Sequence, residues 1–341
     1  KPINLSEERS ITFTDKEHKE LLLSAEPSKK SKPVPFIFDY IFSESTTQSE
    51  VFREVEPFVQ STLDGKQTSI FAYGPTGSGK THTLEGDNHN SKEAVSNMSG
   101  VLPRSLALIL QKVEVANVVA GENDQLEVYL SCLEIYNEKL GDLLSNDREK
   151  ELEITVNKGK IFLPGVVKKK ITSMREALDT IRISSERRQT EATAYNSRSS
   201  RSHSIYRISI SKRGANGEQL GLLNIIDMAG SEKNSLDTQD TDSKKALSTI
   251  NSEKLKKIQK EANYINKSLT TLGRIVRLIK HQRTMGIKDL CIPYRESKLT
   301  RMLQDCIGGE AQTLLIVNIN PSAKCVGQTK ETLNFASVAC V

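Results

Sequence analysis

The amino-acid sequence predicts an α/β protein in which helices cover both faces of a central sheet that is mixed and mostly parallel. Strand-like segments alternate with helical segments along the 341 residues. Most of these strand segments carry apolar residues on both faces, as expected for strands buried on both faces. No segment repeats and no linker divides the chain, so we expect one domain over residues 1–341.

Most of the predicted strands are short apolar runs that end at turn or polar residues, whereas residues 204–211 alternate polar residues with Ile and Tyr, which predicts a half-buried strand. The first stops at Gly74, and the last is a Leu-Leu-Asn-Ile-Ile run closed by Asp227. A turn through Gly214 and Gly217 is expected to join the last two strands as a hairpin. The strands are predicted at residues 69–73, 126–136, 204–211 and 221–227.

The predicted helices follow start signals and a 3.6-residue period. Pro103 is expected to open an apolar helix that runs to Val113, after a polar loop over residues 85–100. Ser173 and Glu176 have capping-box spacing before a helix that runs to about Arg188. From Ile265 to Arg283, apolar residues recur on one helical face. These residues are Leu269, Leu272, Val276 and Ile279.

Composition narrows the possible partners. The net charge is +5, and residues 233–301 hold sixteen Lys or Arg against seven Asp or Glu, so the rest of the chain is acidic overall. This asymmetry suggests an acidic polymer as partner, either a nucleic acid or an acidic protein surface. No apolar run has the length of about 18 residues that would span a membrane. The five cysteines are scattered, which indicates reduced structural thiols.

A phosphate-binding loop is the most specific local signal. Residues 74–81 read Gly-Pro-Thr-Gly-Ser-Gly-Lys-Thr and match the G-x-x-x-x-G-K-[ST] pattern between a predicted strand and a predicted helix. Its glycines let backbone N–H groups face phosphate oxygens. Lys80 is then expected to reach the β and γ phosphates, and Thr81 a magnesium ion. The loop residues are Gly74, Pro75, Thr76, Gly77, Ser78, Gly79, Lys80 and Thr81.

Two further segments complete a nucleotide site. Asp227 ends a strand, where a carboxylate can hold magnesium through water, and it opens a D-x-x-G sequence in which the amide of Gly230 can bond a γ phosphate. Residues 196–203 carry hydroxyl, amide and guanidinium groups just before another strand. There Arg201 could pair with Glu232 across the cleft.

Three segments, residues 74–81, 196–203 and 227–232, resemble motifs of kinesin motor domains. In chain order these motifs are the phosphate loop, switch I (N-x-x-S-S-R-S-H) and switch II (D-x-A-G-S-E). The resemblance extends to residues 134–138, 265–269 and 292–300, and covers about residues 36–341. It implies the kinesin form of the P-loop NTPase fold. It also implies a microtubule-stimulated ATPase that uses ATP and Mg²⁺, located in the cytoplasm on the microtubule cytoskeleton, including the mitotic spindle.

The resemblance also assigns roles to matching residues. It implies that Asn196 lines the nucleotide, that Ser199 and Ser200 contact water, magnesium and the γ phosphate, that Gly230 senses this phosphate, and that Arg201 bridges to Glu232. We interpret His203 as structural rather than as a base. The implied microtubule contacts lie in the basic region, at Lys267, Tyr294, Arg295, Lys298 and Arg301.

Three features depart from the family pattern. The first strand with its R-x-R-P motif is missing, Pro75 replaces the usual Gln, and an insertion is predicted at about residues 233–257 in the switch II loop. We expect this insertion to be mobile. Residues 59–74 are most similar to the C-terminal-motor class, which is usually minus-end-directed. Dimerisation is expected through a coiled coil outside this chain.

Two other functions fit parts of the sequence. A kinesin-like module could bind microtubules without turning over ATP, although Lys80, Thr81, Asp227, Arg201 and Glu232 are all intact. A nucleic-acid-stimulated P-loop ATPase would explain the basic half of the chain. However, the sequence lacks a DNA-reading motif and aromatic stacking platforms, so we expect no nucleic-acid partner.

Overall fold

The computed structural model describes most of the chain between residues 10 and 339. The described ranges are 10–13, 19–24, 32–87, 94–122, 124–147, 149–157, 160–189, 200–213, 219–232, 252–287, 290–307 and 311–339. Among these residues, no helix has the length and apolarity that crossing a bilayer requires.

The central sheet has seven strands, and six of them follow the order β12-β4-β11-β10-β5-β6, with β9 paired to β5. Two smaller sheets are formed by β1 to β3 and by β7 with β8. The strands are β1 (Ile11–Phe13), β2 (Glu20–Leu23), β3 (Val34–Ile37), β4 (Gln67–Tyr73), β5 (Leu126–Tyr136), β6 (Lys139–Asp142), β7 (Thr155–Asn157), β8 (Lys160–Phe162), β9 (Lys169–Ile171), β10 (His203–Lys212), β11 (Gln219–Asp227) and β12 (Gln312–Val317).

The mixed sheet is confirmed, but the expected predominance of parallel strands is wrong. Only β12 with β4 and β4 with β11 pair in parallel, whereas β11 with β10 and every described pairing of β5 are antiparallel. Strands buried on both faces look alike in sequence whichever way their neighbours run. The apolar patterns therefore predicted the burial of the strands correctly but the relative direction of neighbouring strands incorrectly.

Seven helices accompany the strands in the described residues. They are α1 (Gln48–Leu63), α2 (Lys80–Leu84), α3 (Val101–Val119), α4 (Met174–Gln189), α5 (Ser252–Met285), α6 (Lys298–Met302) and α7 (Val326–Ala339). Because successive strand residues point to opposite faces, Ile70 joins one apolar core and Phe71 the other. Helices α1, α3 and α4 cover the first face, and α5, α6 and α7 cover the second.

Helix starts agree with local capping chemistry. Thr47 and Glu50 form a complete capping box at α1. At α4, the Ser173 hydroxyl accepts from the Glu176 N–H at 3.3 Å, while the Glu176 carboxylate accepts from the N–H of Thr172 rather than of Ser173, at 2.8 Å. The predicted helix is therefore confirmed with its reciprocal bond shifted by one residue.

Three predicted helix boundaries are wrong. Helix α3 ends at Val119 rather than at Val113, and two helix starts also differ from the prediction. Helix α3 begins at Val101, because Pro is tolerated anywhere in the first turn, where N–H groups have no helical partner. Helix α5 begins at Ser252, well before Ile265. It therefore takes in residues 252–257, which were expected to belong to a mobile insertion. Residues 233–251, like the predicted turn at Gly214 and Gly217, lie outside the described residues.

The antiparallel hairpin of β10 and β11 positions the functional segments. Ser204 pairs with Asp227, so the start of β10 and the end of β11 lie at the same edge of the sheet. Strand β4 pairs in parallel beside β11, with Ala72 opposite Asp227. The loop that follows β4 therefore opens next to Asp227 and next to the segment that leads into β10.

We expect two positions on α3, Ile109 in its middle and Val118 near its end, to differ sharply in their sensitivity to truncation. Ile109 is fully buried against the sheet, whereas Val118 on the same helix is 81% exposed. Ile109→Ala should lower the free energy of unfolding by about 2–5 kcal/mol, because it leaves a cavity. Val118→Ala should change it by less than about 0.5 kcal/mol. Urea denaturation of both variants measures this, and equal losses would contradict the placement of α3.

Candidate functional site

The glycine-rich loop lies between β4 and α2, as the sequence predicted. Gly77 and Gly79 have φ values of 77° and 99°, a left-handed backbone that favours glycine. A side chain at Gly74 would collide with the carbonyl oxygen of Asn318. The loop is thus a compact backbone turn that only residues without side chains can form at these points.

Lys80 begins α2 and is buried beneath this loop. Its ammonium donates to the carbonyl oxygens of Gly74 and Pro75 at 2.9 and 3.0 Å. Burial lowers the pKa of Lys80, and the negative charges of Asp227 and Glu232 oppose that shift. The ammonium is therefore held at the loop, between the glycine backbone and the two acids.

Asp227 is 1% exposed at the end of β11 and has one engaged and one free oxygen. Its Oδ2 accepts from the Thr81 hydroxyl at 2.7 Å and from the Arg188 guanidinium at 3.1 Å. Its Oδ1 is buried with no hydrogen-bond partner among the described residues. A free carboxylate oxygen beside a threonine hydroxyl fits hydrated Mg²⁺, which takes oxygen ligands and retains waters.

Arg188 is a site residue that the sequence analysis missed. It projects from the end of α4, where it also donates to Ser202. Burial disfavours its charge, but the Asp227 carboxylate leaves the pKa of Arg188 raised, so the guanidinium stays charged. A signal was present, because Arg188 continues the buried stripe of α4 formed by Ala177, Ile181 and Ser184.

Glu85, just after α2, is a partly buried acid that the sequence did not single out. Burial raises its pKa, while Arg188 and the hydrogen bonds from Tyr206 and Ser185 oppose the shift. The Tyr206 and Ser185 hydroxyls donate to its two oxygens at 2.7 and 2.8 Å. These contacts tie the end of the phosphate-loop helix to β10 and α4.

The segments that contain Ser200 and Gly230 are bonded to each other and to the phosphate loop. The Gly230 N–H donates to the Ser200 carbonyl at 3.0 Å, so the two segments are directly bonded. The Ser231 N–H donates to the Gly74 carbonyl, also at 3.0 Å. Asn196 and Ser199, which the sequence also places in the site, lie outside the described residues.

The predicted pair between Arg201 and Glu232 is not the arrangement in this structure. Arg201 Nη1 donates instead to Glu261 of α5 at 2.6 Å. Glu232 accepts from the Thr76 N–H at 2.8 Å and from the Thr76 hydroxyl. Arg201 and Glu232 are therefore each bonded to a different residue in this structure. The spacing of residues in the sequence does not predict these partners.

His203 is buried and bonded at both ring nitrogens, in line with a structural role. Its Nδ1 accepts from the Ala229 N–H at 3.1 Å, which leaves the proton on Nε2, 3.0 Å from the Ser268 hydroxyl of α5. Burial, assisted by Arg188 and Lys80, lowers the pKa of His203 to about 3. The neutral ring therefore links the switch backbone to α5.

The five residues predicted to contact the polymer differ in their exposure and in the bonds that they already form. Lys267 on α5 and Arg295 are exposed. Lys298 is paired with Glu151 at 2.8 Å, and the Tyr294 hydroxyl donates to the Ile307 carbonyl at 2.6 Å. Arg301 is partly buried. Of the five predicted contacts, Lys267 and Arg295 are therefore the two whose residues are exposed.

The fold and the site define a P-loop NTPase with two switch segments around the phosphate loop. A family profile described as "Kinesin motor domain" matches residues 1–340. Mouse kinesin-like protein KIF15 is 35% identical over 313 residues, covering 90% of this chain and 21% of that protein. Kinesin-like protein KIN-14G of Arabidopsis thaliana is 36% identical over 316 residues, covering 91% of this chain and 29% of that protein.

Other matches agree. Kinesin-like protein KIN-5A of Arabidopsis thaliana is 32% identical over 357 residues, covering 98% of this chain and 32% of that protein. The solved "Structure of a fast kinesin" has a TM-score of 0.76 and 29% identity, covering 98% of this chain and 86% of that one. The chain belongs to the kinesin motor domain family, whose members are microtubule motor ATPases that bind nucleotide and Mg²⁺.

The chain spans about a fifth to a third of the length of the curated relatives named above. The relatives also come from several kinesin classes, and their similarity to this chain does not separate those classes.

We expect His203 to make folding stability depend on pH. Below pH 6.5 the unfolded chain protonates this residue, whereas the folded chain does so only near pH 3. The unfolded state therefore binds more protons, and the free energy of unfolding falls as pH decreases, by up to about 1.4 kcal/mol per pH unit from this residue. Urea denaturation at pH 7 and pH 5 measures the decline.

The matched variants are His203→Gln and His281→Gln. The first should remove this part of the pH dependence, and the second should not, since His281 is exposed. Equal pH slopes in wild type and His203→Gln would show that His203 is not the neutral, buried group described above.

Proposed function

We propose that residues 1–341 are one motor domain that hydrolyses ATP with Mg²⁺ and is stimulated by microtubules. The observation that carries this proposal is the buried Asp227 carboxylate, bonded to Thr81 through one oxygen and unpartnered within the described residues at the other. Lys80 and the glycine loop lie beside it. A polar site of this kind suits phosphoryl transfer, which needs positioning and charge stabilisation rather than a covalent nucleophile.

The phosphate loop would hold the nucleotide through its backbone N–H groups, with Asn196 lining the pocket. Pro75 contributes no N–H, so this loop has one donor fewer than a loop with another residue there. Lys80 would leave the Gly74 and Pro75 carbonyls to meet the β and γ phosphates. Magnesium, when bound at Thr81, Ser200 and, through water, Asp227, would neutralise charge on the transferring phosphate.

The switch residues would position water and report the γ phosphate. Ser199 and Ser200 would orient the attacking water, and Gly230 would bond the phosphate through the N–H that now donates to Ser200. Closure through Arg201 and Glu232 would require both to exchange partners, because Glu261 and Thr76 hold them here. The active arrangement thus differs from this one by a few polar contacts.

The polymer partner proposed is the microtubule, gripped by the surface that carries Lys267 and Arg295, with Tyr294, Lys298 and Arg301 as supporting residues. We further propose a minus-end-directed motor of the C-terminal-motor class, from the similarity of residues 59–74. Dimerisation through a coiled coil outside this chain and a place on cytoplasmic microtubules, including the spindle, complete the proposal. Gliding assays on polarity-marked microtubules test the direction.

A microtubule-binding module without ATP turnover is the alternative. The bonds that hold Lys80 on loop carbonyls and Arg201 on Glu261 favour it, since both residues must move before they can act. The intact chemical groups favour the enzyme. Phosphate release measured with and without microtubules separates the two.

Lys80→Ala should reduce steady-state ATP turnover by on the order of a hundredfold or more, because Lys80 supplies the ammonium at the phosphate loop that would stabilise the transferring phosphate. Lys66→Ala is the matched control, since Lys66 is an exposed lysine just before β4. Turnover is followed by phosphate release with saturating microtubules. Microtubule-stimulated turnover that survives in Lys80→Ala would overturn the assigned site.

Reversing the exposed charges should weaken microtubule binding. The Lys267→Glu and Arg295→Glu double variant should raise the Kd for microtubules by on the order of tenfold at low salt and flatten its salt dependence, because an acidic surface then meets negative charge. Lys112→Glu on α3, across the sheet from α5, is the control. Cosedimentation at two salt concentrations measures the effect, and equal affinities in both variants would refute this binding face.

A further inference from the structure

Glu261 connects α5, the proposed polymer-binding helix, to the nucleotide site. It lies on α5, its side chain is 10% exposed, and both of its carboxylate oxygens are engaged. Oε2 accepts from Arg201 at 2.6 Å and Oε1 from the Tyr136 hydroxyl at 2.5 Å. A carboxylate this deeply buried depends on its ion partner, so the contact with Arg201 is a strong one.

The partner of Glu261 is the residue whose release the proposed function requires. Arg201 follows Ser200, whose carbonyl is bonded to Gly230, so Arg201 lies next to the phosphate-sensing backbone. Its proposed partner in the closed site, Glu232, has both oxygens on Thr76 of the phosphate loop. Glu261 and Glu232 are therefore alternative acceptors for one guanidinium.

We propose that Glu261 is a positioning residue that holds Arg201 away from Glu232 and so restrains ATP hydrolysis until microtubule binding displaces α5. This inference rests on the proposed function. Lys267, an exposed cation on the same helix, is six residues away, or about 9 Å along the axis at 1.5 Å per residue. A force on Lys267 thus acts on a rigid segment that also carries Glu261.

Tyr136 makes this arrangement sensitive to movement of the helix. It ends β5, which pairs with β10, β6 and β9 in the central sheet, and so gives Glu261 a fixed donor that does not belong to either switch segment. A second link, from Ser268 of α5 through His203 to the Ala229 N–H, lies two turns further along the helix. Displacement of α5 would therefore alter both switch segments together.

The test is Glu261→Gln in the full chain. The amide keeps the size of the carboxylate and can still accept from Tyr136, but it cannot form an ion pair with Arg201. Basal ATP turnover should rise by on the order of tenfold, the factor that corresponds to one charge-assisted hydrogen bond. Turnover at saturating microtubules should stay near that of wild type, so the stimulation ratio should fall by the same factor.

The matched control is Glu186→Gln, which neutralises an exposed glutamate paired with Arg182 on α4. It should leave both basal turnover and the stimulation ratio unchanged. Tyr136→Phe provides a second route, because it loosens Glu261 without changing charge, and it should raise basal turnover by a smaller factor. It also tests the inference if Glu261→Gln does not fold.

A double variant separates positioning from structural support. If freed Arg201 acts through Glu232, then Glu261→Gln should give no increase in basal turnover when Glu232→Gln is already present. A proportional loss of basal and stimulated turnover in Glu261→Gln, or an increase that persists without Glu232, would overturn the inference. Absence of stimulated turnover in the wild-type chain would instead refute the proposed function itself.

Discussion

A buried carboxylate at the end of the central strand β11 is the constraint on which the nucleotide site depends. An ionised group taken out of water costs several kcal/mol unless charged and hydrogen-bonding partners compensate for it. For Asp227 these partners are Thr81, which lies on α2, and Arg188, which lies at the end of α4. The two helices are thereby fixed against the edge of the sheet, and one oxygen of the carboxylate remains for a ligand.

The contacts around this carboxylate also explain how a small change could reach a distant surface. Arg201, Glu232 and Lys80 are held by Glu261, Thr76 and loop carbonyls, and each such contact contributes about 1–3 kcal/mol. Energies of this size hold one arrangement in place yet can be overcome by the binding of a ligand or polymer. The site is therefore suited to exchange partners without repacking the apolar cores.

Much of this architecture could be predicted from the sequence, because it depends on local patterns. The phosphate loop needs glycines at fixed spacing, and the bounds predicted for β5 agree with the structure. The roles of Arg188 and Glu261 could not be predicted, since their partners are 39 and 60 residues away and are chosen by the fold. Strand direction could not be predicted either. A strand buried on both faces has a similar apolar sequence whether its neighbours run parallel or antiparallel to it.

The hairpin of β10 and β11 has a consequence for how this protein can be altered. Its two strands carry His203 and Asp227 at one end, and an antiparallel ladder with one register shift between Ile210 and Ser211 separates that end from Lys212 and Gln219 at the other. The spacing between the two switch segments is set by this ladder and not by the connection beyond it. Spectroscopic probes attached at Arg213 or Gln219, which are both exposed, should therefore leave the spacing of the two switch segments undisturbed.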